Sequence, residues 1–166
     1  MVEIGNILAL VGAVLAVVVT GVGASIGMGW VQQAAAGVVS EQPEKFGKTM
    51  VLQLIPSSNA LYGFVVGFLI VANTIMGDTM YSLAGGLAIL VLCLAITIVG
   101  LVACLFQAKV CTAGVRMIGR DESLSGRALT MAVFIELFAL FALIVSILGV
   151  MQVGGLDWGV VAETAS

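Results

Sequence analysis

A single carboxylate inside a long apolar stretch is the feature that most constrains this chain. The stretch runs from Leu129 to Val153, and Glu136 is its only charged residue. At about 1.5 Å of rise per residue, a helix of this length crosses a hydrocarbon core of roughly 30 Å. A charge at that depth costs from roughly 3 to above 10 kcal/mol. The position predicts a functional membrane carboxylate, and the alternative is a protonated Glu136 that only packs helices.

The composition indicates an integral membrane protein. Hydrophobic residues make up 61% of the chain and charged residues 9%, whereas soluble domains are nearer to half apolar and a quarter charged. The chain contains six Lys and Arg and no His, which argues against a nucleic-acid partner and against histidine chemistry. The spacing of Cys93, Cys104 and Cys111 fits no zinc or redox motif, and we expect these residues to pack as small side chains.

The apolar pattern predicts an all-α membrane protein with four transmembrane helices. Only helices satisfy their own backbone hydrogen bonds in lipid without closing into a barrel. The first and third helices are longer than one bilayer requires, so we expect their polar ends to project into water. The predicted bounds are Ile4–Val39, Thr49–Met76, Ser82–Ile118 and Gly126–Val153.

The distribution of basic residues predicts the orientation of the chain. All of them lie in or near the two loops that join the first helix to the second and the third to the fourth. The positive-inside rule places these loops in the cytoplasm and both termini on the other side of a cell membrane. Residues 154–166 then form an external tail, in which Trp158 is a candidate interfacial anchor. The basic residues are Lys45, Lys48, Lys109, Arg116, Arg120 and Arg127.

An internal repeat relates the two halves of the chain. A shift of 77 residues places Asn59 on Glu136 and Gly23 on Gly100. The same shift superimposes the Ala-Gly-Val triplets at 36–38 and 113–115. The chain is therefore predicted to consist of two tandem duplicated helical hairpins, residues 1–77 and 78–153, with Glu136 in the second. Glu136 in the fourth helix thus has a neutral counterpart, Asn59, in the second.

Two matching seams of small residues accompany the repeat. Small side chains on one helical face allow backbones to approach closely in lipid. One intramolecular helix pair would explain one seam; two seams favour a ring in which the first and third helices form a crowded inner wall. The first seam comprises Ala16, Thr20, Gly23, Gly27 and Ala34, and its image comprises Cys93, Thr97, Gly100, Cys104 and Cys111.

Three motifs resemble those of a known family. They are the segment Leu54–Gly63 in the second helix, Phe106–Lys109 in the third, and Glu136 in the fourth. This set is similar to the proteolipid (c or K) subunit of V-type and V/A-type rotary ATPases, and the Pro-x-x-polar-x-x-Tyr-Gly pattern most resembles the bacterial sodium-translocating branch. The resemblance covers nearly the whole chain except its external tail.

The resemblance implies a set of sodium ligands. Carried over to this sequence, they are Glu136, Gln107, Ser58, Asn59 and the Ile55 backbone carbonyl, with Tyr62 stabilising Glu136. Ser58 and Asn59 stand where that branch has Thr and Gln, so Asn59 is one methylene shorter. Oxygen-bearing side chains suit a hard cation such as sodium, although a proton carried by the carboxylate alone remains an open alternative.

Simpler roles exist for several of these residues. Ser58 and Asn59 could only hydrogen-bond between helices, Tyr62 could be a packing aromatic, and Lys109 could be a snorkelling cation. Pro56 cannot donate a backbone hydrogen bond, so we expect a local helix distortion that frees nearby carbonyls.

The resemblance also implies partners: identical subunits in a rotor ring, a stator subunit, a central-stalk subunit met by the cytoplasmic loops, and membrane lipids. No phosphate-binding loop is evident, so ATP hydrolysis or synthesis is expected elsewhere in the complex. The competing hypotheses are a small proton-coupled antiporter with one essential glutamate and a structural four-helix packing protein.

Overall fold

The computed structural model describes residues 2–77, 79–156 and 159–160 and is almost entirely helical there. Four helical segments are long and apolar enough to span a membrane, which confirms the predicted number of spans. The predicted helix bounds are correct to within a few residues. Asp78 and Trp158 lie outside the described residues. The helices are α1 (Val2–Glu41), α2 (Phe46–Leu54), α3 (Ser58–Val71), α4 (Leu83–Arg120) and α5 (Ser125–Val153).

The second span is interrupted where the sequence predicted a distortion. A 3₁₀ turn over Ile55–Ser57 separates α2 from α3, and Pro56 is its central residue. Proline has no backbone N–H and its ring clashes with the preceding helical turn, so the regular α-helical ladder cannot continue through it. The same span ends in a π-helical turn over Ala72–Met76, which the sequence did not indicate.

The helices pack in two layers. α1 and α4 make the most extensive contact in the molecule and form one layer, while α3 packs on α1 and α5 packs on α4. α3 also touches both α4 and α5. This arrangement brings one face of α3 to the line where α4 and α5 meet, which is where the candidate site lies.

The two small-residue seams face each other within the one chain. A Cβ added to Gly27 would meet Ala108 and Cys104, and one added to Gly100 would meet Thr20. The other interface of α1, with α3, is equally close, because Gly63 lies against Thr20. The intramolecular α1–α4 contact therefore accounts for both seams at once. The seams give no independent indication of a ring, which must rest on other observations.

Hydrogen bonds join the two basic loops to each other. Lys45 is only 8% exposed, and its ammonium group donates to the Gly119 carbonyl at 2.9 Å, near the end of α4. A cation at the C-terminus of a helix neutralises unsatisfied carbonyls and the helix dipole. Lys48 forms an exposed ion pair with Glu122. Asp121 accepts from the Ser123 backbone N–H, and this bonding with Ser123 lowers the pKa of the Asp121 carboxyl.

We expect Lys45→Ala to destabilise the protein by about 1–2 kcal/mol, because the Gly119 carbonyl loses a charged donor in a partly buried contact. Thermal unfolding of the detergent-solubilised protein measures this loss. Lys48→Ala is the matched control, since its pair with Glu122 is about half exposed and should contribute under about 1 kcal/mol. Equal effects of the two substitutions would contradict the role given to Lys45.

At the opposite end, the chain beyond α5 folds back onto the loop between the hairpins. Tyr81 and Val160 form an isolated antiparallel bridge, and the Ser82 N–H donates to the Gly159 carbonyl at 3.1 Å. The Tyr81 N–H donates to the Asn6 side-chain oxygen at 2.8 Å, which fixes the loop against α1. The start of the tail is thus packed against the loop at this end of the molecule.

Candidate functional site

Glu136 is partly buried in α5 and hydrogen-bonded to α3. The Tyr62 hydroxyl donates to Glu136 Oε1 at 2.6 Å, a distance typical of a charge-assisted hydrogen bond. Tyr62 lies one turn into α3, which packs mainly on α1 and also touches α4 and α5. The predicted contact between Tyr62 and Glu136 is present in the structure, so Tyr62 does more than pack.

A buried chain of amides connects three helices beside this pair. Asn59 in α3 and Gln107 in α4 are both completely buried. Asn59 Nδ2 donates to Gln107 Oε1 at 2.8 Å, and Gln107 Nε2 donates to the Ala132 carbonyl of α5 at 3.3 Å. The Ala132 carbonyl was not predicted, because a backbone acceptor leaves no signal in the residue type.

One oxygen of this amide chain accepts no hydrogen bond. Asn59 Oδ1 is buried and has no hydrogen-bond partner among the described residues. Leaving a buried acceptor unsatisfied costs about 1–3 kcal/mol, so native proteins rarely retain one without a purpose. The Ala132 carbonyl fixes the orientation of both amides: it can only accept, so Gln107 directs Nε2 to it and Oε1 to Asn59, which must then donate from Nδ2. Asn59 therefore presents a free oxygen at the site.

Two further predicted ligands, Ser58 and the Ile55 carbonyl, are hydrogen-bonded to each other. The Ser58 hydroxyl donates to the Ile55 carbonyl at 2.8 Å, next to the Pro56 turn. The adjacent Pro56 carbonyl accepts from the Cys104 thiol at 3.3 Å. Cys104 was predicted only to pack, and a thiol that donates to a backbone carbonyl is a role that its residue type did not indicate.

The polar atoms that the site offers to a ligand are therefore oxygens, and only one of the groups that carry them, Glu136, is a carboxylate. The structure brings the six predicted residues into three bonded pairs on consecutive turns of the second span: Glu136 with Tyr62, Asn59 with Gln107, and Ser58 with Ile55. Among the described residues no cluster of three His, Cys, Asp or Glu side chains exists. Hydroxyl, amide and carboxylate oxygens suit a hard monovalent cation or a proton, and one carboxylate neutralises one such charge.

These features define a class: a four-helix membrane protein that holds one carboxylate in a polar cluster between its helices. The family model for the C subunit of ATP synthase matches residues 11–70 and 83–149, one segment in each helical hairpin. The chain belongs to this family.

Two curated relatives extend the comparison. The chain is 34% identical to the V-type sodium ATPase subunit K of Enterococcus hirae over 148 residues, which covers 89% of this chain and 93% of that protein. It is 36% identical to the A-type ATP synthase subunit K of Methanocaldococcus jannaschii over 164 residues, which covers 96% of this chain and 68% of that protein. The matches therefore span nearly the whole chain.

Proposed function

We propose that this chain is the ion-carrying rotor-ring subunit of a V-type or A-type rotary ATPase, and that it carries sodium on Glu136. The observation that carries the proposal is the free, buried Asn59 oxygen beside the Glu136–Tyr62 pair. A protonatable carboxyl alone needs no such oxygen, whereas a cation needs several. The Enterococcus hirae relative is a sodium ATPase subunit by name, which supports the same ion.

Sodium binding exchanges hydrogen bonds for coordination within the site. The ion takes one Glu136 oxygen, the free Asn59 oxygen and the Gln107 oxygen, whose hydrogen bond from Asn59 is released. Rotation of the Ser58 hydroxyl away from Ile55 adds its oxygen and leaves the Ile55 carbonyl with one donor, the Ser58 backbone N–H. Tyr62 keeps its bond to Glu136 and orients the carboxylate. Each of these moves is a side-chain torsion in α3 or α4.

The charge of the loaded site explains how the subunit can move through lipid. An empty, ionised Glu136 carries the membrane penalty of several kcal/mol, whereas sodium or a proton neutralises it. A rotor then turns through lipid only when its sites are loaded, and it releases the ion where a stator supplies a positive charge and water. One charge crossing the membrane corresponds to about 2.3 kcal/mol per 100 mV, so several sites must act in sequence for each nucleotide.

The assembly follows from the same proposal. Identical subunits form a ring in the cell membrane, the α3 and α5 side faces the stator, and the loops around 41–48 and 120–127 meet the central stalk. Both termini lie on the non-cytoplasmic side, since all basic residues lie toward the opposite end. Residues 1–77 and 78–153 act as two hairpins that share one charge, and 154–166 form the external tail.

Oligomer size tests the assembly. Native mass spectrometry of the detergent-solubilised protein should show a large closed ring that resists dissociation. A stable dimer would instead favour the self-sufficient antiporter, and a monomer would contradict both functions. The exposed apolar side chains on the spanning helices, such as Phe68, Val91 and Phe138, leave ample surface for neighbouring subunits and lipid.

We expect Tyr62→Phe to weaken sodium binding about tenfold, because the carboxylate loses a charged hydrogen bond worth about 1.5 kcal/mol. The measurement is the sodium concentration that half-protects Glu136 from carbodiimide modification. Tyr81→Phe is the matched control, since Tyr81 lies in the loop between the hairpins and contributes no atom to the site. Unchanged sodium protection in Tyr62→Phe would show that the hydroxyl does not orient Glu136 for the ion.

A further inference from the structure

The turn that precedes the candidate ion ligands is hydrogen-bonded to α4 through a thiol. Cys104 in α4 donates to the Pro56 carbonyl at 3.3 Å, and its side chain is completely buried. Pro56 is the central residue of the 3₁₀ turn in the second span. Ser58 and Asn59 lie at the start of α3, directly after this turn. The thiol therefore holds the segment that presents three of the candidate ligand oxygens.

On its other side, the Cys104 sulfur lies against α1. A Cβ added to Gly27 would stand 3.4 Å from Cys104 Sγ and 3.0 Å from the Ala108 methyl group. Because Gly27 has no side chain, the α1 backbone can pass this close to the sulfur. The sulfur is thus confined between the backbones of α1 and the Pro56 turn, and in a close-packed interior it cannot move far without displacing one of them.

The Cys104 bond differs from the other hydrogen bond between these elements. Asn59 and Gln107 also join the second span to α4. In the proposed loading of the site, sodium takes the Gln107 oxygen and releases that bond. The bond from Cys104 to Pro56 involves none of the proposed ligand atoms, so it persists when the ion is bound. In the loaded state it continues to hold the turn against α4.

The separation between the turn and α4 determines the size of the site. Three ligands approach the ion from the second span: the Ile55 carbonyl, Ser58 and Asn59. Gln107 and Glu136 approach it from α4 and α5. A cation is bound best when the surrounding oxygens stand at the distance that its radius requires, so the spacing of the two groups of ligands determines which ion is preferred.

We propose that Cys104 is a positioning residue, whose thiol holds the Pro56 turn at a fixed distance from α4 and thereby sets the preference of the site for sodium over the smaller lithium ion. This inference rests on the proposed function, in which Glu136 carries sodium. Cys104 acts through the turn and does not contact the ion. A thiol is a weak donor, so its effect on affinity is modest. Its effect on geometry is direct, because the acceptor is a backbone atom.

Two substitutions of similar size separate positioning from packing. Cys104→Ala removes the donor and frees the turn, so half-protection of Glu136 from carbodiimide should require about threefold more sodium. Cys104→Ser keeps a donor, but a hydroxyl bonds at about 2.7–2.8 Å rather than 3.3 Å. The turn is then drawn toward α4 and the site contracts, so lithium protection should improve relative to sodium by about threefold. A cysteine that only packs predicts the same sodium-to-lithium ratio in both variants.

Cys93→Ala is the matched control. Cys93 is also completely buried and lies against Gly12 in the same contact between α1 and α4. It is eleven residues from Cys104, about 16 Å along the helix axis. Both ion midpoints should keep their wild-type values in this variant, and native mass spectrometry verifies that all three variants assemble. Unchanged midpoints in Cys104→Ala, or equal sodium-to-lithium ratios in the alanine and serine variants of Cys104, would overturn the positioning role.

A failure of the proposed function gives a different result. If neither ion protects the wild type, Glu136 carries a proton, and the pH that halves the rate of modification becomes the readout. That pH should still shift in Cys104→Ala, because α3 begins directly after the Pro56 turn and a displaced turn also displaces Tyr62 and its hydrogen bond to Glu136. It should stay constant in Cys93→Ala. An unshifted pH in both variants would then overturn the positioning role.

Discussion

Glu136→Gln should reduce ATP-driven sodium uptake by the whole complex in vesicles to background. Glutamine preserves the size of the side chain and can still accept a hydrogen bond from Tyr62, so the packing of α5 is retained. The substitution removes the only charge in the Leu129–Val153 stretch, and a neutral site has no reason to take up a cation. Transport should fail without a loss of stability.

The matched control is Glu44→Gln, which neutralises an exposed carboxylate in the turn between α1 and α2. This variant should transport sodium at the wild-type rate. Native mass spectrometry confirms that both variants assemble equally, which separates a transport defect from an assembly defect. Sodium uptake by an assembled Glu136→Gln complex would show that Glu136 does not carry the ion.

Gly63→Ala should destabilise the protein by about 2–3 kcal/mol, the upper range for overpacking, because the clash is with backbone. A Cβ at this position would stand less than 3.0 Å from the Ala16 carbonyl and from Thr20 Oγ1. Neither can move easily, since Thr20 itself donates to the Ala16 carbonyl at 2.6 Å. Forcing α3 away from α1 also shifts the neighbouring Tyr62, so sodium affinity should fall as well.

Gly29→Ala is the matched control, because a Cβ there meets nothing within 4 Å. This change should be neutral or stabilise α1 by about 0.5–1 kcal/mol through helix propensity. Unfolding of the two variants in mixed micelles with increasing dodecyl sulfate gives the comparison. Equal stability of Gly63→Ala and the wild type would show that α1 and α3 are not in the close contact described.

The spans and the central carboxylate could be predicted from sequence because their physical causes are local. An apolar run of sufficient length must cross as a helix, and a glutamate within it is costly wherever the neighbours lie. The interruption of the second span at Pro56 was likewise predictable, because the missing backbone N–H is a property of proline itself. The pairing of Tyr62 with Glu136 needed the family resemblance, because the residues are 74 positions apart.

Other features depend on which helices meet, and the sequence alone does not determine that. The burial of Lys45 requires the end of α4 to lie beside it, and the Ala132 acceptor is a backbone atom. The seams were identified correctly as close-packing faces. Small residues indicate that another helix approaches closely, but they do not indicate which helix it is. That Asn59 Oδ1 has no donor can be recognised only when the position of Gln107 is known, because Gln107 determines which end of the Asn59 amide is used.

The most direct test of the central claim is the rate at which carbodiimide modifies Glu136 in the assembled protein. The reaction requires a protonated carboxyl, so an ion bound to Glu136 slows it. We predict that sodium chloride slows modification at neutral pH, relative to choline chloride at equal ionic strength. An identical rate in the two salts would mean that the site carries a proton, and that Asn59, Gln107 and Ser58 are not sodium ligands.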